Sequence, residues 1–410
     1  MRYTLQMRIG IDARLTGYRA GGIARYTEEL IRALAELDSA NDYRILQTAR
    51  PRIPSFAQPL SPTNTRGQGS QTSLEVPPPH KGEGFWVRET SPNFRPARIF
   101  TPPHNRLERL ALSVEIARLR LDVLHSPDFI PPRFGARRRV ITIHDLNFLY
   151  FPQFQTPDSL QYYAGHIRAA VREADHILAV SQSAADDLCN LLSVPPHKIT
   201  IQAEGVTPDY HPMGTEEIKA ARLRLGLPQN YLLFVGTLEP RKNVIGLLDA
   251  YARLCQQHPD APPLVIAGQR GWLYEDIFKR ALALPTRIQS RLHWIENFAP
   301  ADLPSVYNGA MALVLPSFYE GFGLPPLEAM ACGIPTVVSN RGSLPEIVGD
   351  AGLLIDPDSV DSLCEALARV LSDSAWREHC VRAGVARAAT FTWQKAAQVA
   401  LEVYQDVAKG

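Results

Sequence analysis

Two rhythms of apolar residues alternate along this chain. Short runs rich in valine and isoleucine recur at Arg8–Asp12, Tyr43–Thr48, Asp122–His125, Val140–His144, Ile177–Val180 and Ile199–Ala203. They return at Tyr231–Val235, Leu264–Ala267, Leu292–Ile295, Ala312–Leu315, Thr336–Ser339 and Gly352–Ile355. Runs that are apolar throughout suit strands covered on both faces. Between them apolar residues come back every three or four positions, as in Ile23, Tyr26, Leu30, Leu34 and Leu37. That is the spacing of a helix with one buried stripe. Alternation of this kind predicts parallel sheets with right-handed crossovers. It occurs twice, so the fold class is α/β, with two doubly wound domains facing a cleft. The first is expected at 1–205 and the second at 215–390, with a linker at 206–214 and a terminal helix at 391–410. A length of 410 residues agrees, since it exceeds one ordinary core.

Composition narrows the picture. At 45% hydrophobic the chain cannot be globally disordered. Lys plus Arg is 43 against 42 for Asp plus Glu, which gives no electrostatic case for a nucleic-acid binder. No apolar run approaches the roughly 20 residues needed to span a bilayer. The opening residues MRYTLQMRIGIDAR carry charges where an export leader is apolar, so a cytoplasmic location is expected. Five scattered cysteines without CxxC spacing read as reduced thiols, neither a disulfide frame nor a zinc site. Eleven of the 34 prolines fall between Pro51 and Pro103, with a PPP run and GQG and GEG clusters. That composition predicts a disordered insertion at 51–103 within the first domain.

Ligands of doubly wound sheets bind beyond the carboxyl ends of the strands, so the loops there matter most. The run PSFYEGFGLPPLEAMACGIPTVV, Pro316 to Val338, follows one strand. Its glycines Gly321 and Gly323 let backbone N–H groups approach an anion, and prolines suit the helix start that follows. Glu320 and Glu328 beside an anion site are odd for phosphate alone. They make sense if the phosphate belongs to a sugar nucleotide, whose hydroxyls donate to carboxylates. In FVGTLEPRKNVIGLLDAYARL, Arg241 and Lys242 precede a helix start, where a dipole favours anions rather than cations. Two cations and free helix N–H groups there suit a diphosphate. His144 and Asp145 end a strand of the first domain, and Gly21 and Gly22 open a helix after its first strand. Asp356-Pro357-Asp358 sits in a turn where a helix cap, not a metal, is expected.

The paired glutamates Glu320 and Glu328 with seven residues between them, inside EGFGLPPLEAMACGIPTV, resemble the signature of the family 4 retaining glycosyltransferases. The resemblance covers Met7 to about Arg50 and about Asn105 to the end. It implies the GT-B fold, two Rossmann-like domains facing a cleft, with the last helix crossing back to the first domain. It implies that Glu320 contacts the donor sugar and Glu328 the ribose. Gly321, Phe322, Gly323 and Leu324 would meet the sugar and diphosphate through their backbone. The loop containing Asn297 and Phe298 would line the nucleobase pocket, Phe298 being equally suited to the core. His144 would lie near the anomeric centre, and Gly21 and Gly22 would face the acceptor or a phosphate. Relatives often carry Gly-Arg where this chain has Gly236-Thr237, which leaves Arg241 and Lys242 to supply the charge.

The implied reaction moves a sugar from a nucleotide-diphosphate donor to an acceptor hydroxyl with retention, without metal or other cofactor. The wording HDL and GTLEPRKN resembles a mannosyltransferase branch, so GDP-mannose is the first expectation, with a glycan or lipid-linked acceptor of surface polysaccharide assembly. An epimerase or phosphorylase of the same architecture, or an idle sugar-nucleotide-binding module, stays open. A dinucleotide oxidoreductase would show GxGxxG after the first strand, and that is missing. Peripheral membrane contact is a further expectation. The helix Asn105–Arg120, apolar with basic flanks, reads as packed on its domain, and the run Arg137–Arg139 as a solvated turn.

Overall fold

The computed structural model describes residues 6–17, 21–49, 91–103, 107–296 and 298–410. Two parallel sheets organise it. The first contains β1 (Arg8–Asp12), β2 (Asp42–Thr48), β3 (Phe94–Ile99), β4 (Leu121–Ser126), β5 (Ala136–Ile143), β6 (His176–Ala179) and β7 (Ile199–Ile201), in the order β3-β2-β1-β4-β5-β6-β7. The second contains β8 (Leu232–Val235), β9 (Leu264–Ala267), β10 (Leu292–Ile295), β11 (Ala312–Leu315), β12 (Thr336–Ser339) and β13 (Gly352–Ile355), in the order β10-β9-β8-β11-β12-β13. Strand order reverses between β1 and β4 in one sheet and between β8 and β11 in the other. Those two switch points are where loops part and leave a crevice. The central strands β8, β9, β11 and β12 are buried along their whole length, as their unbroken apolar runs require.

One expectation fails in part. Residues 51–90 of the proline-rich stretch lie outside the described residues, but Phe94–Ile99 is an ordered strand, so the irregular segment cannot extend to 103. β3 pairs with β2 alone, with Ile45 opposite Pro96. An edge strand has one unpartnered side, where a missing N–H need cost no ladder bond. Phe94 and Ile99 are buried, and the Phe94 ring stacks on Tyr43 with centroids 4.0 Å apart.

The helix Trp393–Lys409 packs on the first domain rather than the second. Trp393, Ala397, Ala400 and Tyr404 share a core with Ile9, Tyr26, Leu30 and Leu34. A buried polar chain crosses the same contact. Tyr404 Oη lies 2.7 Å from His125 Nδ1, and His125 Nε2 lies 2.7 Å from Thr142 Oγ1, which also meets Tyr26 Oη at 2.9 Å. Burial, with a smaller contribution from the nearby His144, pushes the His125 imidazole down to about 3, so it stays neutral. No helix among the described residues is long and apolar enough to cross a membrane.

Candidate active site

The second switch point carries a compact cluster of charge. After β8 the chain makes a short 3-10 turn at Pro240–Lys242, then Asn243 takes a left-handed conformation (φ 54°) and caps the helix Val244–Gln257 through Gly246 N–H. Asparagine adopts that conformation at little cost. This reversal turns Lys242 inward, where it is buried. After β11, the loop Pro316–Gly323 crosses the neighbouring strand end and brings in Glu320, which is 6% exposed. Lys242 Nζ donates to Glu320 Oε1 at 2.6 Å and Arg241 Nη1 donates to Glu320 Oε2 at 2.8 Å. Ser317 Oγ adds a third hydrogen bond at 2.6 Å. Arg241 also binds Tyr319 O at 2.7 Å and the buried Glu239 at 2.6 Å.

Burial alone would raise the Glu320 carboxyl. The Lys242 ammonium and the Arg241 guanidinium outweigh it and hold the group at about 2, so Glu320 is an anion. The arrangement differs from two free cations awaiting a diphosphate, because both are already paired with carboxylates. Donors remain all the same. An ammonium has three N–H groups and Lys242 uses one, while Arg241 Nε is buried without a partner among the described residues.

The loop after Glu320 is held from behind. Gly323 has φ +111° and begins the helix Leu324–Ala331, with Pro325 and Pro326 in its first turn. Ser343 Oγ donates to Glu320 O at 3.0 Å and to Phe322 O, and a Cβ on Gly342 would stand 2.6 Å from Glu320 O. Phe322 points its ring into the core against Phe391, so it offers the cleft only backbone. Leu324 packs on the same core. Gly342 and Ser343 were not singled out from the sequence. RGSLPE after a strand repeats the small-residue, proline-at-helix-start pattern of the Glu320 loop and is the signal that points to them.

Glu328 lies one turn further along the helix and is 2% exposed. Its carboxylate accepts from Tyr307 Oη at 2.7 Å and from Arg25 of the first domain. Arg25 stands three residues after Gly22, on the helix Gly22–Leu37, with its guanidinium 5.1 Å from the centre of the Tyr210 ring. Arg25 therefore already occupies the carboxylate that the resemblance assigns to a ribose. The apolar stripe of that helix drew attention to its inner face, and Arg25 sits outside it.

From the first domain, His144 follows β5 and faces this loop. Its Nδ1 is 3.2 Å from Glu204 Oε1 and its Nε2 is 3.1 Å from Pro127 O. The backbone contact is tighter still: a Cβ on Gly321 would stand 1.8 Å from His144 O. Ser181 Oγ donates to Gly321 O at 2.6 Å while also capping the helix Gln182–Leu192. Asp187 of that helix accepts from Tyr150 Oη at 2.6 Å and from Tyr319 Oη. Asp145 turns back on its own loop, accepting from Asn147 N at 3.1 Å.

The remaining sequence candidates fall into place unevenly. Phe298 packs against the core of the second domain, and Asn297 lies outside the described residues. Gly21 and Gly22 begin a helix with open space where their side chains would be, and neither requires a positive φ. Asp356 and Asp358 pair with Arg341, and Ser359 caps the helix that follows. The run Arg137–Arg139 is not a turn: it lies within β5 and is paired with Asp122, Glu173 and Asp175.

Two parallel-sheet domains, with the charged cluster of one facing a histidine of the other across their switch points, make up the GT-B architecture. The model of group 1 glycosyl transferases matches residues 215–387, and that of glycosyltransferase family 4 matches residues 20–210. The chain belongs to this family. It is 36% identical over 284 residues to the O-antigen chain mannosyltransferase B of Escherichia coli, covering 69% of this chain and 74% of that relative. Sucrose-phosphate synthase from Thermosynechococcus elongatus superposes with a TM-score of 0.71 at 21% identity, over 98% of this chain and 99% of that one. Anabaena HepE in complex with UDP and glucose does so with a TM-score of 0.70 at 17% identity, over 97% and 99%.

Proposed function

We propose that this glycosyltransferase moves a mannosyl residue from a nucleotide-diphosphate mannose, GDP-mannose in the first instance, to a hydroxyl of a growing surface glycan or its lipid-linked precursor. The sugar keeps its anomeric configuration and the reaction uses no metal or other cofactor. The observation that carries the reading is the buried anion Glu320 between Lys242 and Arg241 at the switch point, in a chain related to an O-antigen mannosyltransferase. HepE, of the same fold, holds UDP and glucose, which supports a nucleotide-sugar donor here. Glu320 would accept from sugar hydroxyls. The unused donors of Lys242 and Arg241, with the N-terminus of the helix Leu324–Ala331, would take the departing diphosphate. His144 would sit beside the anomeric carbon and position the acceptor. The acceptor class implies work at the cytoplasmic face of a membrane.

A thermal-shift panel of GDP-, UDP- and ADP-sugars tests the donor, since a ligand stabilises the fold in proportion to its affinity. GDP-mannose should give the largest shift. Product analysis by NMR should then show an α-linked mannose on an acceptor glycan. A larger shift with a UDP-sugar would reject the donor, and an inverted product would reject the chemistry.

A further inference from the structure

The imidazole of His144 is held on three sides, and one of them is a buried carboxylate from the chain that leaves the first sheet. Glu204 follows β7 and is 4% exposed. Among the described residues its carboxylate has one hydrogen-bond partner, His144 Nδ1 at 3.2 Å. Pro127 O stands 3.1 Å from Nε2, and the Tyr26 ring meets the imidazole edge to face with centroids 4.8 Å apart. Burying a carboxylate is costly without a partner, and here the partner is the imidazole. The outer torsion of a histidine is broad, so the ring keeps one orientation only when its neighbours hold it.

Glu204 is itself fixed from behind. Gly205 lies so close to the start of the helix Trp393–Lys409 that a Cβ on it would stand 2.3 Å from Trp393 N. Val206 N donates to Phe391 O at 3.2 Å. On the other side, the fully buried Gln202 donates from Nε2 to Ala396 O at 2.8 Å and accepts from Tyr26 Oη. The returning helix thus pins the backbone on both sides of Glu204. Through Gln202 it also pins the tyrosine that walls the imidazole. The carbonyl of His144 is the group that a Cβ on Gly321 would meet, so the residue that Glu204 holds touches the residue after Glu320.

We infer that Glu204 is a positioning residue for the transfer, holding the His144 imidazole in a single orientation without itself contacting donor or acceptor. The inference rests on the role proposed above for His144 and adds the residue that acts through it. Release of nucleoside diphosphate, measured with the sugar nucleotide that stabilises the wild type most, tests it on E204A, E204M, E204Q, H144A and H144A/E204A. E204A should lower kcat at least about tenfold while the donor KM changes less than about twofold. E204M fills the same space without an acceptor and should match E204A, so that a cavity is not what is read. E204Q keeps the length and an acceptor oxygen and should stay within about threefold of wild type. In the H144A background E204A should cost less than about twofold more, because no imidazole is left to hold. NMR of the donor-free protein gives a readout apart from activity. The ring nitrogen resonances that vanish in H144A should move in E204A and E204M and stay near their wild-type positions in E204Q. Wild-type kcat in E204A and E204M, losses that multiply in the double variant, E204Q as impaired as E204A, or unmoved ring resonances would each overturn the inference. An impaired H144A beside an unimpaired E204A removes the role of Glu204 alone. An H144A variant with wild-type turnover removes the role of His144, and that of Glu204 with it.

Discussion

The Lys242–Glu320 pair separates a structural ion pair from a donor-binding one. Lys242→Met removes the ammonium while keeping the length of the chain, and Glu320→Gln removes the carboxylate charge while keeping its shape. The cluster holds Glu320 at about 2 against an ordinary 4.5. A depression of that size corresponds to about 3 kcal/mol in favour of the ionised, paired form. Lys242 is the larger contributor, ahead of Arg241, so roughly 2 kcal/mol should be coupled between Lys242 and Glu320. Each single variant leaves a buried charge short of a partner and should destabilise the fold by about 3 kcal/mol. The double variant should recover about 2 kcal/mol of the summed loss. Chemical denaturation of the four proteins without donor gives the cycle directly. A coupling under about 0.5 kcal/mol would show that the contact contributes little, and the account of the cluster would be wrong. Activity carries the second half. Lys242→Met should lower turnover at least about tenfold, because charge-assisted contacts contribute about 1.5–3 kcal/mol each. Full coupling with unchanged turnover would leave Lys242 a purely structural residue.

Other consequences can be checked singly. Gly321→Ala would place a methyl group 1.8 Å from His144 O, forcing the two domains apart where they meet. Turnover should fall about 100-fold, as for a misplacement of about 1 Å, and near-wild-type rates would overturn the domain contact. Tyr319→Phe removes the hydroxyl bound to Asp187. It should lower kcat more than it changes the donor KM, and equal changes in both would mean that the tyrosine only aids binding. His125 is held down at about 3 in the folded chain, while the unfolded chain takes its proton near 6.5. Stability from this group is therefore complete above about pH 6.5 and is lost as pH falls toward 3, at up to about 1.4 kcal/mol per pH unit. His125→Gln should flatten that part of the pH–stability curve measured by thermal melts, and an unchanged slope would assign the acid sensitivity elsewhere.

Much of the frame was legible in the sequence because parallel strands buried on both faces write themselves as continuous apolar runs. Five of the six strands of the second sheet fall where those runs lie, residue for residue. β3 escaped because FRPARI mixes arginine and proline with its apolar residues, a composition tolerable only at a sheet edge. The loop motifs led to Glu320, Arg241 and Lys242, since glycine, proline and charge at strand ends carry local information. What the motifs could not carry is pairing across 78 or more residues. The reading of two free cations missed that Lys242 and Arg241 each end on Glu320. It missed Arg25 for the same reason, because nothing near that residue announces Glu328, which lies 303 positions away.

These pairings change what the cluster can offer a donor. Glu239 and Glu320 are anions and Arg241 and Lys242 are cations in mutual contact, so their charges cancel. A diphosphate added to this group unchanged would meet little net attraction. A donor that also brings sugar hydroxyls alters the exchange. Hydroxyl groups can donate to Glu320 in place of the ammonium and guanidinium, which releases those cations toward the phosphates. The same logic applies to Glu328, where ribose hydroxyls would replace the guanidinium of Arg25. Recognition would then depend on both halves of a sugar nucleotide arriving together. Free sugar would have to break charged pairs for neutral ones, and free diphosphate would leave two buried carboxylates short of partners. On the proposed function, selectivity for the intact donor would follow from the neutrality of the cluster rather than from any single contact.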